Sequence, residues 1–186
     1  MLVASATAWI IANPPKIDEF SSVSILGPAL TASSYFPGNN TTVKLNETVQ
    51  WNLQVYNHMG STQLFLVNIT LSNSTIPGPN AASNTPSGGY QLLRIFRAVE
   101  NNQTWTLPLQ WSITNDTSSP GTTTIQTMTI NNTPVSGIGL PANGGIDFRI
   151  VIELWSYDLQ THGFIFSFMS NGAQTSVFNQ VWFNAG

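Results

Sequence analysis

Eight asparagines in this 186-residue chain stand two positions before a serine or threonine, with no proline between them. This is the acceptor pattern for N-linked glycans. The eight are Asn39, Asn40, Asn46, Asn68, Asn73, Asn102, Asn115 and Asn131. The triplets at Asn39 and Asn40 overlap, so we expect only one of them to carry a glycan. A surface rich in Asn, Ser and Thr also produces such triplets by accident, which is the alternative explanation. The pattern predicts a glycoprotein that holds covalent glycans and no cofactor.

The other reactive side chains match no catalytic motif. His58 and His162 fall in predicted turns, outside any metal-binding spacing. Asp147 and Glu153 lie at even separation on one predicted strand, but a hydrolase also needs its two acids about 5 to 10 Å apart across a cleft. There is no GxSxG elbow and no glycine-rich phosphate loop. The sequence therefore predicts no catalytic residue, no metal ligand and no enzymatic activity.

The composition favours an extracellular protein. Charged residues make up 7% of the chain, against about 25% in ordinary globular proteins, so neutral polar side chains and glycans must supply the solubility. The five cations are scattered and the net charge is −3, which argues against nucleic acid as a partner. There are no cysteines, and no apolar run reaches the roughly 20 residues of a membrane-spanning helix.

An unusual apolar segment, LVASATAWIIA, occupies residues 2–12 and is followed by Asn13, Pro14 and Pro15. Its even positions are all apolar and its odd positions are mixed, which is strand periodicity. The residues that we expect to carry its contacts are Leu2, Val3, Ala4, Ala6, Ala8, Trp9, Ile10, Ile11 and Ala12. The two prolines favour a stiff, extended spacer. We expect residues 2–12 to be a donor strand that enters a neighbouring subunit. The alternatives are the tail of a signal sequence or a strand folded into its own domain.

The rest of the chain, residues 16–186, reads as one all-β domain. Nine further strands are predicted, at residues 17–26, 43–56, 64–71, 90–99, 104–113, 122–130, 146–157, 164–169 and 175–183. Residues 73–89 and 134–145 are predicted loops, and Pro108 indicates an edge strand or a bulge. The tryptophans are expected in the core rather than on a sugar-stacking platform. The spacing is typical of an immunoglobulin-like β-sandwich.

Two stretches resemble a module found in archaeal surface proteins. They are residues 46–60 (NETVQWNLQVYNHMG), with residues 65–70 (FLVNIT) as the return strand, and residues 148–155 (FRIVIELW). Together with the apolar segment, the Pro-Pro spacer, the glycan acceptors and the lack of cysteine, they resemble the thread-filament subunit of Sulfolobus-type thermoacidophiles. This resemblance implies a heavily glycosylated, pilin-like subunit on the cell surface that polymerises head to tail by donor-strand complementation.

By this resemblance, each subunit is expected to lack one strand and to receive residues 2–12 of the next subunit in a groove. The expected groove residues are Phe20, Val23, Ile25, Val177, Val181 and Phe183. The protein is then a homopolymer that makes further surface or cell contacts. Two other functions fit the same strands: a monomeric carbohydrate-binding adhesin, and a viral capsid jelly roll.

Overall fold

Alternating apolar and polar residues build most of the protein as β-strands. The structure, a computed structural model, describes residues 19–170 and 173–186. Twelve strands lie in these ranges: β1 (Phe20–Leu26), β2 (Thr42–Val43), β3 (Val49–His58), β4 (Gln63–Asn73), β5 (Tyr90–Val99), β6 (Thr104–Ser119), β7 (Thr122–Ile130), β8 (Thr133–Asn143), β9 (Phe148–Asp158), β10 (Gly163–Ile165), β11 (Ser167–Ser170) and β12 (Ala173–Ala185). The one helical element described is a 3₁₀ turn, Pro37–Asn39. No helix in the described ranges is long and apolar enough to cross a membrane.

The strands form two sheets. The first has the order β1-β3-β6-β7-β8, and the second has β11-β12-β9-β4-β5 with β10 beside β9 and β2 beside β12. Every pairing is antiparallel except that of β2 with β12. The order β1-β3-β6 corresponds to strands A-B-E of the immunoglobulin fold, and β12-β9-β4 corresponds to G-F-C. The β7–β8 hairpin occupies the place of strand D. The predicted all-β, immunoglobulin-like sandwich is therefore confirmed.

Tryptophan and phenylalanine rings fill the space between the sheets. Trp51 and Trp111 are both 1% exposed and meet edge to face, with ring centroids 5.3 Å apart. Phe183 of β12 packs on Trp111 at 5.0 Å and on Phe148 at 5.7 Å. The prediction that tryptophans belong to the core is confirmed for Trp51 and Trp111. Because β12 supplies Phe183 to this cluster, that strand is part of the core and not an appendage.

Two features differ from the prediction. The expected loop at residues 134–145 is wrong, because most of it is β8. Its prolines and glycines suggested a loop, yet Ile138, Leu140 and Ala142 alternate inward and are buried. β8 is an edge strand, and an edge tolerates proline because it has hydrogen-bonding neighbours on one side only.

The prediction that Pro108 marks an edge strand holds at Pro108 itself but not for the whole of β6. β6 lies inside the first sheet, yet Pro108 comes three residues before the pairing with β7 begins at Trp111. Where β7 is not paired with β6, the side chain of Asn131 makes hydrogen bonds to the β6 backbone. Its Oδ1 accepts the Gln110 N–H at 2.7 Å, and its Nδ2 donates to the Pro108 carbonyl at 3.3 Å.

The described strands leave no position of the immunoglobulin order vacant. Strands equivalent to A, B, C, E, F and G all lie between Phe20 and Ala185. The expectation of a sandwich that lacks one strand therefore does not hold for the described chain. An incoming strand would have to join an existing sheet edge.

Candidate functional site

One side of the sandwich presents two sheet edges to the outside. β1 is the first strand of its sheet and β12 lies near the end of the other, and the two strands contact each other. Among the described residues, β1 pairs only with β3. Over residues 177–183, β12 pairs only with β9. We call this side, formed by β1 and residues 177–183 of β12, the open side.

The backbone polarity of β1 follows from the pairing of β3. Asn57 of β3 directs its N–H to Gln103 and its carbonyl to Asn102, both on the β6 side. Odd-numbered residues of β3 therefore face β6, and even-numbered residues face β1. Their partners on β1 are Phe20, Ser22, Ser24 and Leu26. The N–H and carbonyl groups of the intervening residues, Ser21, Val23 and Ile25, point to the open side.

The edge of β12 is bounded at one end by β2. The Asn184 and Gly186 N–H groups donate to Thr41 and Val43 on the outer side, at 2.9 and 3.1 Å, so even-numbered residues of β12 face outward. At the other end β11 pairs with β12 as far as Ser176. Within residues 177–183, the residues that face the open side are Phe178, Gln180 and Trp182.

One of these groups is already satisfied. The Gln180 N–H is hydrogen-bonded to the Oδ1 of Asn179 at 2.8 Å. An edge donor that is capped by a neighbouring side chain is less available to another strand.

The predicted groove residues lie on this side of the molecule, but most are not exposed. Val23, Ile25 and Phe183 are buried, and Val177 and Val181 are half-buried against the core. Phe20 is 47% exposed and lies on the opposite face of β1, in contact with the rings of Tyr56 and His58. It is one residue out of phase with Val23 and Ile25, which excludes it from the inward-facing set.

The predicted donor strand and its spacer lie outside the described residues. This applies to Leu2, Val3, Ala4, Ala6, Ala8, Trp9, Ile10, Ile11 and Ala12. The division into residues 1–15 and residues 16–186 stays a prediction as well.

The eight predicted glycan acceptors fall into two groups. Five are exposed and do not use their Nδ2 in a hydrogen bond: Asn39, Asn40, Asn46, Asn102 and Asn115. Asn102 has a positive φ of 62°, and its Oδ1 is hydrogen-bonded to the Nδ1 of His58. This leaves its amide nitrogen, the atom that would carry a glycan, directed to solvent.

The other three acceptors use the amide nitrogen in a hydrogen bond to another part of the protein. Asn73 is 4% exposed and donates its Nδ2 to the Pro141 carbonyl at 2.7 Å. Asn68 donates to Glu153 at 3.0 Å, and Asn131 donates to Pro108. The glycan at Asn73 stays a prediction, and in the folded chain this nitrogen is engaged in a hydrogen bond.

A buried polar cluster on the outer face of the second sheet was not predicted from the sequence. Glu153 of β9 is fully buried. Its carboxylate accepts hydrogen bonds from Asn68 Nδ2, from Trp155 Nε1 at 3.1 Å and from the Ser87 N–H. Ser87 lies in the loop at residues 74–89, so this loop is pinned across the sheet. Asp147, the other acid that we considered, precedes β9, is exposed and has a φ of 62°, so the two carboxylates do not share a face.

Arg149 pins the same loop four residues before Glu153. Its guanidinium donates to the Ile76 carbonyl and to Gln180 Oε1, and it lies 4.8 Å from the ring centroid of Trp182. Arg149 is 6% exposed. The sequence signal was present: two charged residues, four apart, interrupt an otherwise apolar strand on one face.

Comparison with known proteins adds a structural likeness. No known protein-family model matches this sequence, and no curated protein does. Among solved structures, the chain is similar to the CARDB domain of the PF1109 protein from Pyrococcus furiosus, which was crystallised in complex with di-metal ions. The identity is 11% and the TM-score is 0.42, with 90% of this chain and 89% of that chain covered. The strand order, and not this likeness, establishes the immunoglobulin-like fold.

Proposed function

We propose that this protein is the structural subunit of an extracellular filament, in which residues 2–12 of one subunit pair with the open side of the next. The observation that carries the proposal is the pair of strand edges on β1 and β12 that no strand of the described chain covers. Exposed edges invite pairing with another extended chain. The sequence offers a matching strand, set apart from the domain by two prolines.

Burial of the apolar face of residues 2–12 would supply the driving force for this contact. Burying about 400 Å² of apolar surface contributes about 10 kcal/mol before the cost of ordering the strand. Backbone hydrogen bonds to the edge residues would also fix the register of the incoming strand. The two contacting surfaces are different, so the contact is heterologous and propagates along a line instead of closing into a dimer.

The surface chemistry supports the extracellular location. Exposed Asn, Ser and Thr side chains replace charge, and five exposed glycan acceptors could carry the hydrophilic mass that keeps filaments apart. In this proposal the protein has no catalytic role, and its partners are other copies of the same chain.

A capping experiment tests the filament. Full-length protein is polymerised in the presence of a tenfold molar excess of a synthetic peptide of residues 1–13, or of the same residues in scrambled order. We expect the native peptide to occupy acceptor edges and to reduce the mean filament length several-fold in negative-stain micrographs. A chain that stays monomeric at all concentrations, or filaments equally long with both peptides, would contradict the proposal.

Glycan occupancy should follow the positions of the amide nitrogens. Glycopeptide mass spectrometry of the native protein is expected to find glycans at Asn46, at Asn102, at Asn115 and at one of Asn39 and Asn40. Asn73 should be unmodified because its Nδ2 is buried and donates to Pro141. The internal control is Asn46, which is exposed and has the same triplet pattern. A glycan at Asn73 with none at Asn46 would refute the assignment.

One observation favours a carbohydrate-binding protein as a second candidate. A groove of about 540 Å³ on the outer face of the first sheet is lined by neutral amides, including Gln50, Asn52, Gln110 and Asn132, and by Pro28 and Pro108. Uncharged amides suit ligands rich in hydroxyl groups. Saturable binding of neutral oligosaccharides by a protein that never polymerises would favour this function.

A further inference from the structure

We infer that the first sugars of a glycan on Asn102 pack against three aromatic rings on the outer face of the first sheet, those of Phe20, Tyr56 and His58. We call these three rings the ring cluster. The inference rests on the glycosylation of Asn102, which belongs to the proposed function, and it does not depend on polymerisation. It gives this acceptor a role in the stability of the domain, in addition to solubility.

The rings of the cluster lie against one another on β1 and β3. Phe20 is paired with His58 across the two strands, and the centroids of their rings are 5.1 Å apart. The ring of Tyr56 lies 5.6 Å from that of Phe20 and is stacked on that of His58 at 6.1 Å. Phe20 is 47% exposed, and the other two residues are half-buried. Part of this aromatic surface is therefore open to solvent.

The ring cluster differs from the rest of the face on which it lies. Outward-facing neighbours on β1, β3 and β6 are neutral and polar, among them Ser22, Gln54 and Thr106. A single exposed apolar side chain is ordinary, whereas several in mutual contact form a patch that is typical of a binding surface. The cluster therefore calls for an occupant with an apolar face.

Asn102 is attached at the border of this cluster. Its Oδ1 accepts a hydrogen bond from the Nδ1 of His58, and its backbone N–H donates to the Asn57 carbonyl at 2.7 Å. The same turn is held by Asn101, whose Oδ1 accepts the Gly60 N–H at 3.0 Å. Within the described ranges, Asn102 is the exposed acceptor whose side chain is hydrogen-bonded to a ring. The base of its glycan is thus fixed next to the cluster.

The chemistry of the linkage directs the glycan towards the rings. Attachment of a sugar converts the side-chain amide of Asn102 into a secondary amide, which strongly prefers the trans form. In that form the first carbon of the sugar lies on the same side of the amide as Oδ1. Because Oδ1 is bonded to His58, this is the side on which the rings lie.

A sugar ring suits this surface. It has an apolar face of C–H groups, which can pack on an aromatic ring, and a rim of hydroxyl groups, which need hydrogen-bond partners. Ser22 and Thr104 lie on either side of Tyr56 in the sheet and place their hydroxyl groups next to the ring cluster. Covalent attachment also gives the sugar a high effective concentration at the rings, so that even a weak contact forms.

A double-mutant cycle tests the contact. Thr104→Val removes the acceptor triplet while it keeps the shape of the side chain, and Phe20→Ala removes the most exposed ring. The parent, the two single variants and the double variant are made as full-length chains in a host that glycosylates them and in a bacterial host that leaves them unmodified. Denaturant unfolding, at a concentration at which no filaments form, gives the equilibrium constant for unfolding of each.

In the glycosylated chain, we expect the two substitutions to be coupled by a factor of about five in the unfolding equilibrium constant, as for a favourable contact between two rings. In the unmodified chain they should be additive. The matched control is Phe96→Ala, which removes a ring that is 55% exposed on the other sheet and should be additive with Thr104→Val in both chains. A second readout needs no variant, since protons of the first sugar should shift upfield in the NMR spectrum above a ring face.

Additive substitutions in a chain that carries the glycan would overturn the inference. Equal coupling in the unmodified chain would do the same, because the contact would then belong to the protein alone. Mass spectrometry of the same samples reports the glycan, and an unmodified Asn102 would defeat the inference together with its acceptor assignment. A chain that shows the coupling but never polymerises would support the inference and contradict the filament.

Discussion

Ala6→Asp is expected to keep the full-length chain monomeric under conditions in which the parent forms filaments. Ala6 lies in the middle of the all-apolar face of residues 2–12, the face that we expect to be buried at the subunit junction. A carboxylate without a partner at a buried site costs several kcal/mol. A loss of about 5 kcal/mol lowers the association constant more than a thousandfold, since 1.4 kcal/mol corresponds to a factor of ten. Negative-stain microscopy and size exclusion measure the outcome.

The adjacent position gives the matched control. Ser5→Asp introduces the same charge into the same segment but on the mixed face, which we expect to stay in contact with water. It should polymerise nearly as well as the parent. Normal filaments from Ala6→Asp would contradict the strand model, and equal loss in both variants would indicate a general effect of charge in place of a buried face.

Glu153→Ala is expected to lower the free energy of unfolding by about 3 to 5 kcal/mol. The substitution leaves the Asn68 amide, the Trp155 indole N–H and the Ser87 N–H without their common acceptor inside the protein. It also frees the loop at residues 74–89 from one of its attachments, while those of Ile76 to Arg149 and of Asn84 to Ser167 remain. Denaturant unfolding followed by tryptophan fluorescence measures the difference.

Two controls make this result specific. Glu100→Ala removes an exposed carboxylate and should change the unfolding free energy by less than 0.5 kcal/mol. Hydrogen exchange should increase in residues 74–89 of the Glu153 variant and not in the distant β7–β8 hairpin. A Glu153 variant as stable as the parent would mean that the buried cluster contributes no net stability.

The fold could be predicted from the sequence because strand alternation is local. From Val49 to Val55, apolar and polar side chains alternate in the sequence, and in the structure they alternate between buried and more exposed positions. β8 was missed because the prolines and glycines in its sequence predict a loop. Its pairing with β7 makes it a strand all the same, and this pairing cannot be recognised from the sequence of β8 alone. Positive φ values at Gly137 and Gly139 explain why glycine is present inside this strand.

The sites were harder to predict because they depend on contacts between distant residues. A triplet pattern cannot show that the Nδ2 of Asn73 donates to Pro141, 68 positions later in the chain. Nor can it show that Asn68 supports a buried carboxylate. The edges of β1 and β12 were expected to be neighbours, but the segment that ends the β12 edge, β2, is two residues long and gives almost no periodic signal.

The presence of every immunoglobulin strand position in the described chain also affects how subunits would be added to a filament. A subunit with a vacant core position must be escorted until a neighbour fills it, because its hydrophobic groove would aggregate. Here β12 already closes that position with its own chain. In the proposed filament, such a subunit would fold before it polymerises and would join an end only when its concentration exceeds a threshold. Growth would then be an equilibrium with folded monomers, in which broken filaments re-extend and dilution releases intact subunits.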